Sequence, residues 1–158
     1  MVNLKIVHAP GKYQDKTAYT DTLEYCMKPS KTPSGLIGGQ NIDTDYAVQE
    51  METVSQTFGK VTGNKLRHFI LSFSPEENMT ADEVAHIADQ VAGHYSDRYQ
   101  IVYAVHEDTN CPHAHFAMNH VSFRDGRHYY GTKQDYYDFQ EHIKEVLRPY
   151  GKKLEVVD

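Results

Sequence analysis

Apolar residues recur along the chain with two periods. Val84, Ile87, Ala88, Val91 and Tyr95 fall at helical spacing behind Thr80 and Glu83, a capping-box pair, and predict a helix through "ADEVAHIADQVAGHY". Tyr136, Phe139, Ile143 and Leu147 mark a last helix over about 134–148. Two further helices are read over 16–28, stopped by Pro29, and through "YAVQEMETVSQTF", capped by Asp43 or Thr44 and ended by Gly59. Runs of branched and aromatic residues predict strands over 4–9, 65–74, 99–107 and 113–123, and Asp125-Gly126 offers a hairpin turn into "RHYYG". Residues 29–43, rich in Gly, Pro and Ser, read as a surface loop. The order βααβαββ(β)α predicts an α+β fold, a central antiparallel β-sheet with packed helices. No repeat or linker divides the chain, so residues 1–158 form one domain, either complete in itself or the front of something longer.

Composition narrows the class. An apolar fraction of 39% and a charged fraction of 24% belong to a globular chain. The N-terminus lacks the apolar stretch of a signal peptide and no apolar run approaches membrane-spanning length, so a soluble, cytoplasmic protein with no membrane segment is expected. Two cysteines, Cys26 and Cys111, suit a reducing compartment. The net charge of −6 argues mildly against nucleic-acid binding, but it is uneven. Residues 1–75 carry eight Lys and Arg against seven Asp and Glu, while 76–158 carry eight against fifteen. A basic face on the N-terminal half is therefore compatible with an acidic total.

The chemistry gathers in "VHEDTNCPHAHFAMNH", residues 105–120. In a strand, His113, His115, Ala117 and Asn119 share one face, while Ala114, Phe116 and Met118 share the other. The second set is apolar and packs; the first is polar and is not built for a core. His106 closes the preceding strand, so antiparallel pairing brings His106, His113 and His115 to one point, with positions left open for water or substrate. His120 faces away, and His8, His68, His86, His94, His128 and His142 read as ordinary structural or surface histidines. Cupin-type oxygenases also carry three histidines but add a carboxylate soon after the pair, where this chain has Asn119. A three-histidine zinc hydrolase stays open, as does a metal-bearing or DNA-binding module without catalysis.

"HEDTNCPHAHFAMN" resembles the third motif of the relaxase and mobilisation nuclease family, the HUH endonucleases of conjugative plasmids and transposons. That motif has an H-x-D start, a histidine–hydrophobic–histidine pair and an asparagine four residues later. Many members carry histidine where this chain has Cys111, which leaves Cys111 as an accidental soft ligand at most. "TLEYCMKPSKT" resembles the first motif, with Tyr25, Lys31 and Thr32, and "HFILSFSPEE" resembles the strand that follows it. The resemblance runs over about 4–140 and implies the palm-like HUH relaxase fold. It implies His106, His113 and His115 as metal ligands, with Asp108 and Asn119 as the motif's acidic residue and its asparagine. It further implies magnesium or manganese as the working ion, although three imidazoles alone favour zinc or nickel as purified. A replication-type HUH endonuclease, with its tyrosine after the histidines, is the near alternative.

The chain has twelve tyrosines. At about 100° per residue, Tyr19, Leu23, Cys26 and Met27 form the inward stripe of their helix. Tyr25 points away from it, beside Asp21, Thr22 and Lys28, where a large ring has no packing reason to be. The first motif picks the same residue as nucleophile, with Tyr19 as the second choice. The implied activity is a metal-dependent, strand-specific nick at an origin of transfer through a covalent 5′-phosphotyrosine. Its substrate would be single-stranded or hairpin DNA, and its partners accessory relaxosome and coupling proteins. Asp108, then Glu76 or Glu77, are candidates for holding the imidazoles in one tautomer. Lys31, Thr32 and Arg67 are candidates for phosphate contacts, with Asn119 beside them on the substrate-binding side.

Overall fold

The computed structural model describes residues 1–157. Ten elements follow one another: β1 (Val2–Ile6), α1 (Ala18–Cys26), β2 (Ile37–Gln40), α2 (Ala47–Thr57), β3 (Leu66–Phe73), α3 (Ala81–Ala92), β4 (Ile101–His106), β5 (His113–Asn119), α4 (Lys133–Leu147) and β6 (Leu154–Val157). The strands make one sheet in the order β2-β4-β5-β3-β1-β6. The fold is α+β, with helices on both faces. Thr80 and Glu83 form the expected reciprocal cap of α3, and Thr132 accepts from the Asp135 amide at the start of α4.

Alternation along the three central strands divides two cores. Phe69, Leu71, Ile101, Val105, Phe116 and Met118 pack under α3 and α4, against Val84, Ile87, Val91, Phe139 and Ile143. Phe69 and Phe116, directly paired across β3 and β5, stack with ring centroids 4.7 Å apart. On the opposite face Leu66, Val102 and Ala117 meet Tyr19, Leu23 and Cys26 of α1 and Met51 of α2. The face carrying the histidines is therefore not simply polar. It is a second, smaller core whose apolar packing stops where the histidines begin.

Three local expectations change. The segment read as one loop over 29–43 contains β2, an edge strand on β4. It escapes a hydrophobicity reading because Gly38 and Gly39 lie so close to β4 that a Cβ on Gly39 would sit 2.9 Å from the Ile101 carbonyl oxygen. The sheet is mixed rather than wholly antiparallel, because β6, in the tail after the last helix, pairs in parallel with β1. The hairpin beyond β5 shrinks to a single bridge between Val121 and His128. Asn119 Oδ1 accepts from the Val121 amide and turns the chain out of the ladder, although Gly126 still makes its turn at φ +73°.

Candidate active site

β4 and β5 pair antiparallel with His106 opposite His113 and Ala104 opposite His115. Directly opposed residues share a face, so the register puts three imidazoles together, and the small Ala104 leaves room for His115. Their ring centroids lie 4.0 Å apart for His106 and His115, 5.1 Å for His113 and His115, and 5.2 Å for His106 and His113. One ligand nitrogen from each falls within 4.8 Å of the others. His106 and His115 are buried and His113 is half-buried.

The outer nitrogens are already committed. His106 Nε2 donates to the Cys26 carbonyl oxygen at 2.8 Å, and His113 Nδ1 donates to the Cys111 carbonyl oxygen at 2.8 Å. His115 Nδ1 lies 2.8 Å from His68 Nε2. His106 Nδ1 is buried with no partner. An orphaned buried lone pair costs about 1–3 kcal/mol unless something fills it, and a cation is what three converging nitrogens suit. Burial, followed by the neighbouring imidazoles, lowers His115 to about 2, and burial lowers His106 as well. Both rings are therefore neutral at ordinary pH, the form that binds metal. The donor set fits a divalent ion.

Tyr25 stands over this cluster. It occupies the last turn of α1, and its ring centroid lies 5.5 Å from His115, 5.7 Å from His106 and 6.4 Å from His68. Its ring is 42% exposed. One side of the tyrosine thus faces the imidazoles and the other faces solvent. Lys31 Nζ sits 5.5 Å from the centre of the same ring and 2.8 Å from Asp108 Oδ2. Tyr19, one and a half turns earlier, is buried and donates to Asn119 Oδ1 at 2.9 Å. Burial pushes its hydroxyl up to about 12, so Tyr19 is a packing residue.

The nuclease domain of MobA/VirD2-like relaxases, as a family model, matches residues 25–152. The chain belongs to the relaxase family. Protein rlx of Staphylococcus aureus is 30% identical over 126 residues, which cover 80% of this chain and 38% of that protein. The chain therefore spans under two-fifths of that curated relative's length. A solved chain from work on the molecular basis of vancomycin resistance transfer in Staphylococcus aureus shares the fold. Its TM-score is 0.53 at 14% identity, over 77% of this chain and 72% of that one.

Within this relaxase fold, several residues expected at the site play other parts. Asp108 holds no imidazole; its carboxylate binds Lys31, which lowers the carboxyl from its ordinary value and raises the lysine in return. Glu77 binds the N-terminal amine and Lys152, away from the histidines, and Glu76 lies in the same turn. Thr32 is buried, with Oγ1 donating to the Lys28 carbonyl oxygen, so it closes a turn and presents nothing to a phosphate. Asn119 is fully buried. Its amide contacts Gln100, Met51, Tyr19 and the Val121 backbone, which removes it from the substrate. Arg67 alternates with His68 along β3 and so lies on the opposite face. Its guanidinium packs 4.8–5.7 Å from the ring centres of Phe69, Tyr95, Tyr129 and Phe139. Thr22, read as part of the polar side of α1, is buried too.

His68 is the residue that sequence reading set aside. It belongs to the cluster, hydrogen-bonded to His115 on one side and to Tyr13 Oη at 2.9 Å on the other. The missing signal was strand adjacency: only the pairing of β3 with β5 places His68 diagonally beside His115. The thiol that joins the cluster is that of Cys26, whose Sγ lies within 4.8 Å of ligand atoms of His68 and His115. Cys111 contributes its carbonyl oxygen to His113. No helix among the described residues is long and apolar enough to cross a membrane.

Proposed function

We propose that this domain nicks one strand of DNA at an origin of transfer, with Tyr25 as nucleophile. The reading rests above all on one observation: the Tyr25 ring packs edge-on against the imidazoles of His106 and His115 while staying open to solvent. A phosphodiester entering from solvent meets the hydroxyl and the three ligand nitrogens together. A tyrosine hydroxyl, ordinarily with a pKa of about 10, is a weak nucleophile at neutral pH. A divalent ion held by His106, His113 and His115 would neutralise charge on the non-bridging oxygens of that phosphate. Magnesium or manganese suits a phosphate oxygen better than a soft ion does.

The chain's own groups supply the rest. Tyr25 Oη forms a bond to phosphorus and its proton passes to solvent, while the bond from phosphorus to the 3′ oxygen breaks and that oxygen takes up a proton from solvent. The strand is left with a 5′-phosphotyrosine and a free 3′-hydroxyl. Because the ester is conserved rather than hydrolysed, the reverse attack reseals the strand. Lys31, held by Asp108, places a positive charge beside the Tyr25 ring, where it favours an incoming phosphate. Asp108 thus acts through Lys31. The open approach to Tyr25 suits single-stranded DNA or the unpaired flank of a hairpin, and accessory relaxosome and coupling proteins would deliver it.

The test is covalent trapping. Protein with manganese is incubated with single-stranded oligonucleotides spanning candidate transfer origins and run on a denaturing gel. A protein–DNA adduct is expected, and Tyr25→Phe abolishes it. An adduct that survives this change moves the nucleophile elsewhere, and no adduct with any oligonucleotide sinks the reading.

A further inference from the structure

We infer that His68 is the positioning residue of the metal centre, holding His115 in the one tautomer that can bind an ion; this rests on the metal reading of the three histidines. The β3–β5 register pairs Ile70 with His115 and His68 with Ala117, so the two histidines are diagonal neighbours on one face. Both are almost fully buried, at 4% and 3% exposure, and their facing nitrogens are 2.8 Å apart. Two neutral imidazoles at that distance share one proton, and its owner decides the chemistry.

If His68 Nε2 donated, His115 Nδ1 would accept and the ring's own proton would sit on Nε2. His115 would then turn an N–H toward His106 and His113, with no lone pair for a cation. In the opposite arrangement His115 Nδ1 donates to His68 Nε2, and His115 Nε2 is free to ligate. The proton of His68 then sits on Nδ1, where Tyr13 Oη accepts it at 2.9 Å. Tyr13 borders an open cleft of about 430 Å³ shared with His8, Gln14 and His120. Tyr13 Oη can donate to His68 Nδ1 as well as accept from it, so the contacts close in either direction, and the direction that starts at His115 is the one that leaves its Nε2 lone pair for a cation. His68 therefore does for His115 what the Cys26 and Cys111 carbonyl oxygens do for His106 and His113, as a single acceptor fixing the ring.

The measurement is metal affinity, read with manganese alone on the full chain by calorimetric titration. A hard ion avoids the neighbouring Cys26 thiol, which burial pushes up to about 12 and which would attract a soft one. His68→Ala is expected to weaken manganese binding about 10- to 100-fold, the usual effect of losing an outer partner of a metal-ligating histidine. His68→Gln, whose Oε1 can accept from His115, is expected to stay within a few-fold of wild type. Tyr13→Phe keeps the ring and its burial, loses only the acceptor, and is expected to fall between the two. It carries the test if His68→Ala does not fold. In the nitrogen-15 ring spectrum of magnesium-saturated protein, the His115 proton is expected on Nδ1. A proton on Nε2, or a folded His68→Ala that binds manganese like wild type, overturns the inference and leaves the metal reading intact. Wild-type protein that takes up no manganese overturns both.

Discussion

The two faces of the sheet are cut from the same three strands. Under α3 and α4, β3, β4 and β5 turn Phe69, Leu71, Ile101, Val105, Phe116 and Met118 inward. Under α1 the alternate positions supply His68, His106, His113 and His115. Period-two alternation lets one strand serve both purposes without compromise, since neighbouring residues never share a face. The aromatic face closes on itself and has stability to give. The histidine face holds four imidazoles in a small core, with one buried nitrogen left unpartnered, and is organised for an occupant.

Substitutions on opposite faces should separate activity from stability. Tyr25→Phe removes one oxygen from a side chain that is 42% exposed, so the fold should be unmoved and the DNA adduct lost by three orders of magnitude or more. Gel trapping beside a melting curve checks both halves. A Tyr25→Phe protein that melts well below wild type would mean the ring is a packing residue after all. Phe116→Ala should do the reverse, costing about 3–5 kcal/mol by urea denaturation because the ring is fully buried against Phe69. Whatever fraction stays folded should form adduct at the wild-type rate. Loss of adduct from folded Phe116→Ala protein would show that the two faces are not independent.

What the sequence made legible followed from local pattern. The capping box of α3, the inward stripe of α1 and the convergence of His106 with His113 and His115 need only periodicity and one hairpin-like pairing. What it hid depended on long-range adjacency or on backbone. β2 carries two glycines and β6 lies in a polar tail, so neither shows a hydrophobic pattern. His68 looked ordinary because nothing local says that β3 lies beside β5. Asp108, Thr32 and Asn119 are motif residues, yet a motif records position and not direction. Asp108 holds a lysine, Thr32 a turn and Asn119 the floor of a core.

Arg67 is the sharpest probe of the boundary between the faces. A guanidinium over four rings, with Nη1 donating to Tyr95 Oη at 3.0 Å, is a structural cation. Arg67→Leu should cost about 2 kcal/mol and leave the salt dependence of DNA binding unchanged. Lys31→Ala should cost little stability and reduce the slope of log affinity against log salt by about one phosphate's worth. Equal changes in slope for the two variants would carry the DNA across both sides of the sheet.

The smallest effect is the aromatic side's share of the acid response. His120 lies at that margin, its Nδ1 2.9 Å from His128 Nδ1, and is lowered to about 4 by burial, then by His128 and Arg67. The unfolded chain takes up its proton near pH 6.5, while the folded chain resists until about pH 4. Across that window the unfolded state binds more protons, so stability is full above about pH 6.5 and falls as pH drops toward 4. In chelator, so that no ion adds a pH dependence of its own, the denaturation midpoint should decline over this range, with His68 and His115 on the other face, lowered to about 4 and about 2, adding to the fall. His120→Gln, which cannot titrate, should flatten part of the decline. A His120→Gln decline as steep as that of wild type would mean that the folded chain protonates His120 as readily as the unfolded one, through a charged His120–His128 contact. The aromatic side would then carry a charged group of its own, and the division of labour between the two faces would be less complete than their packing indicates.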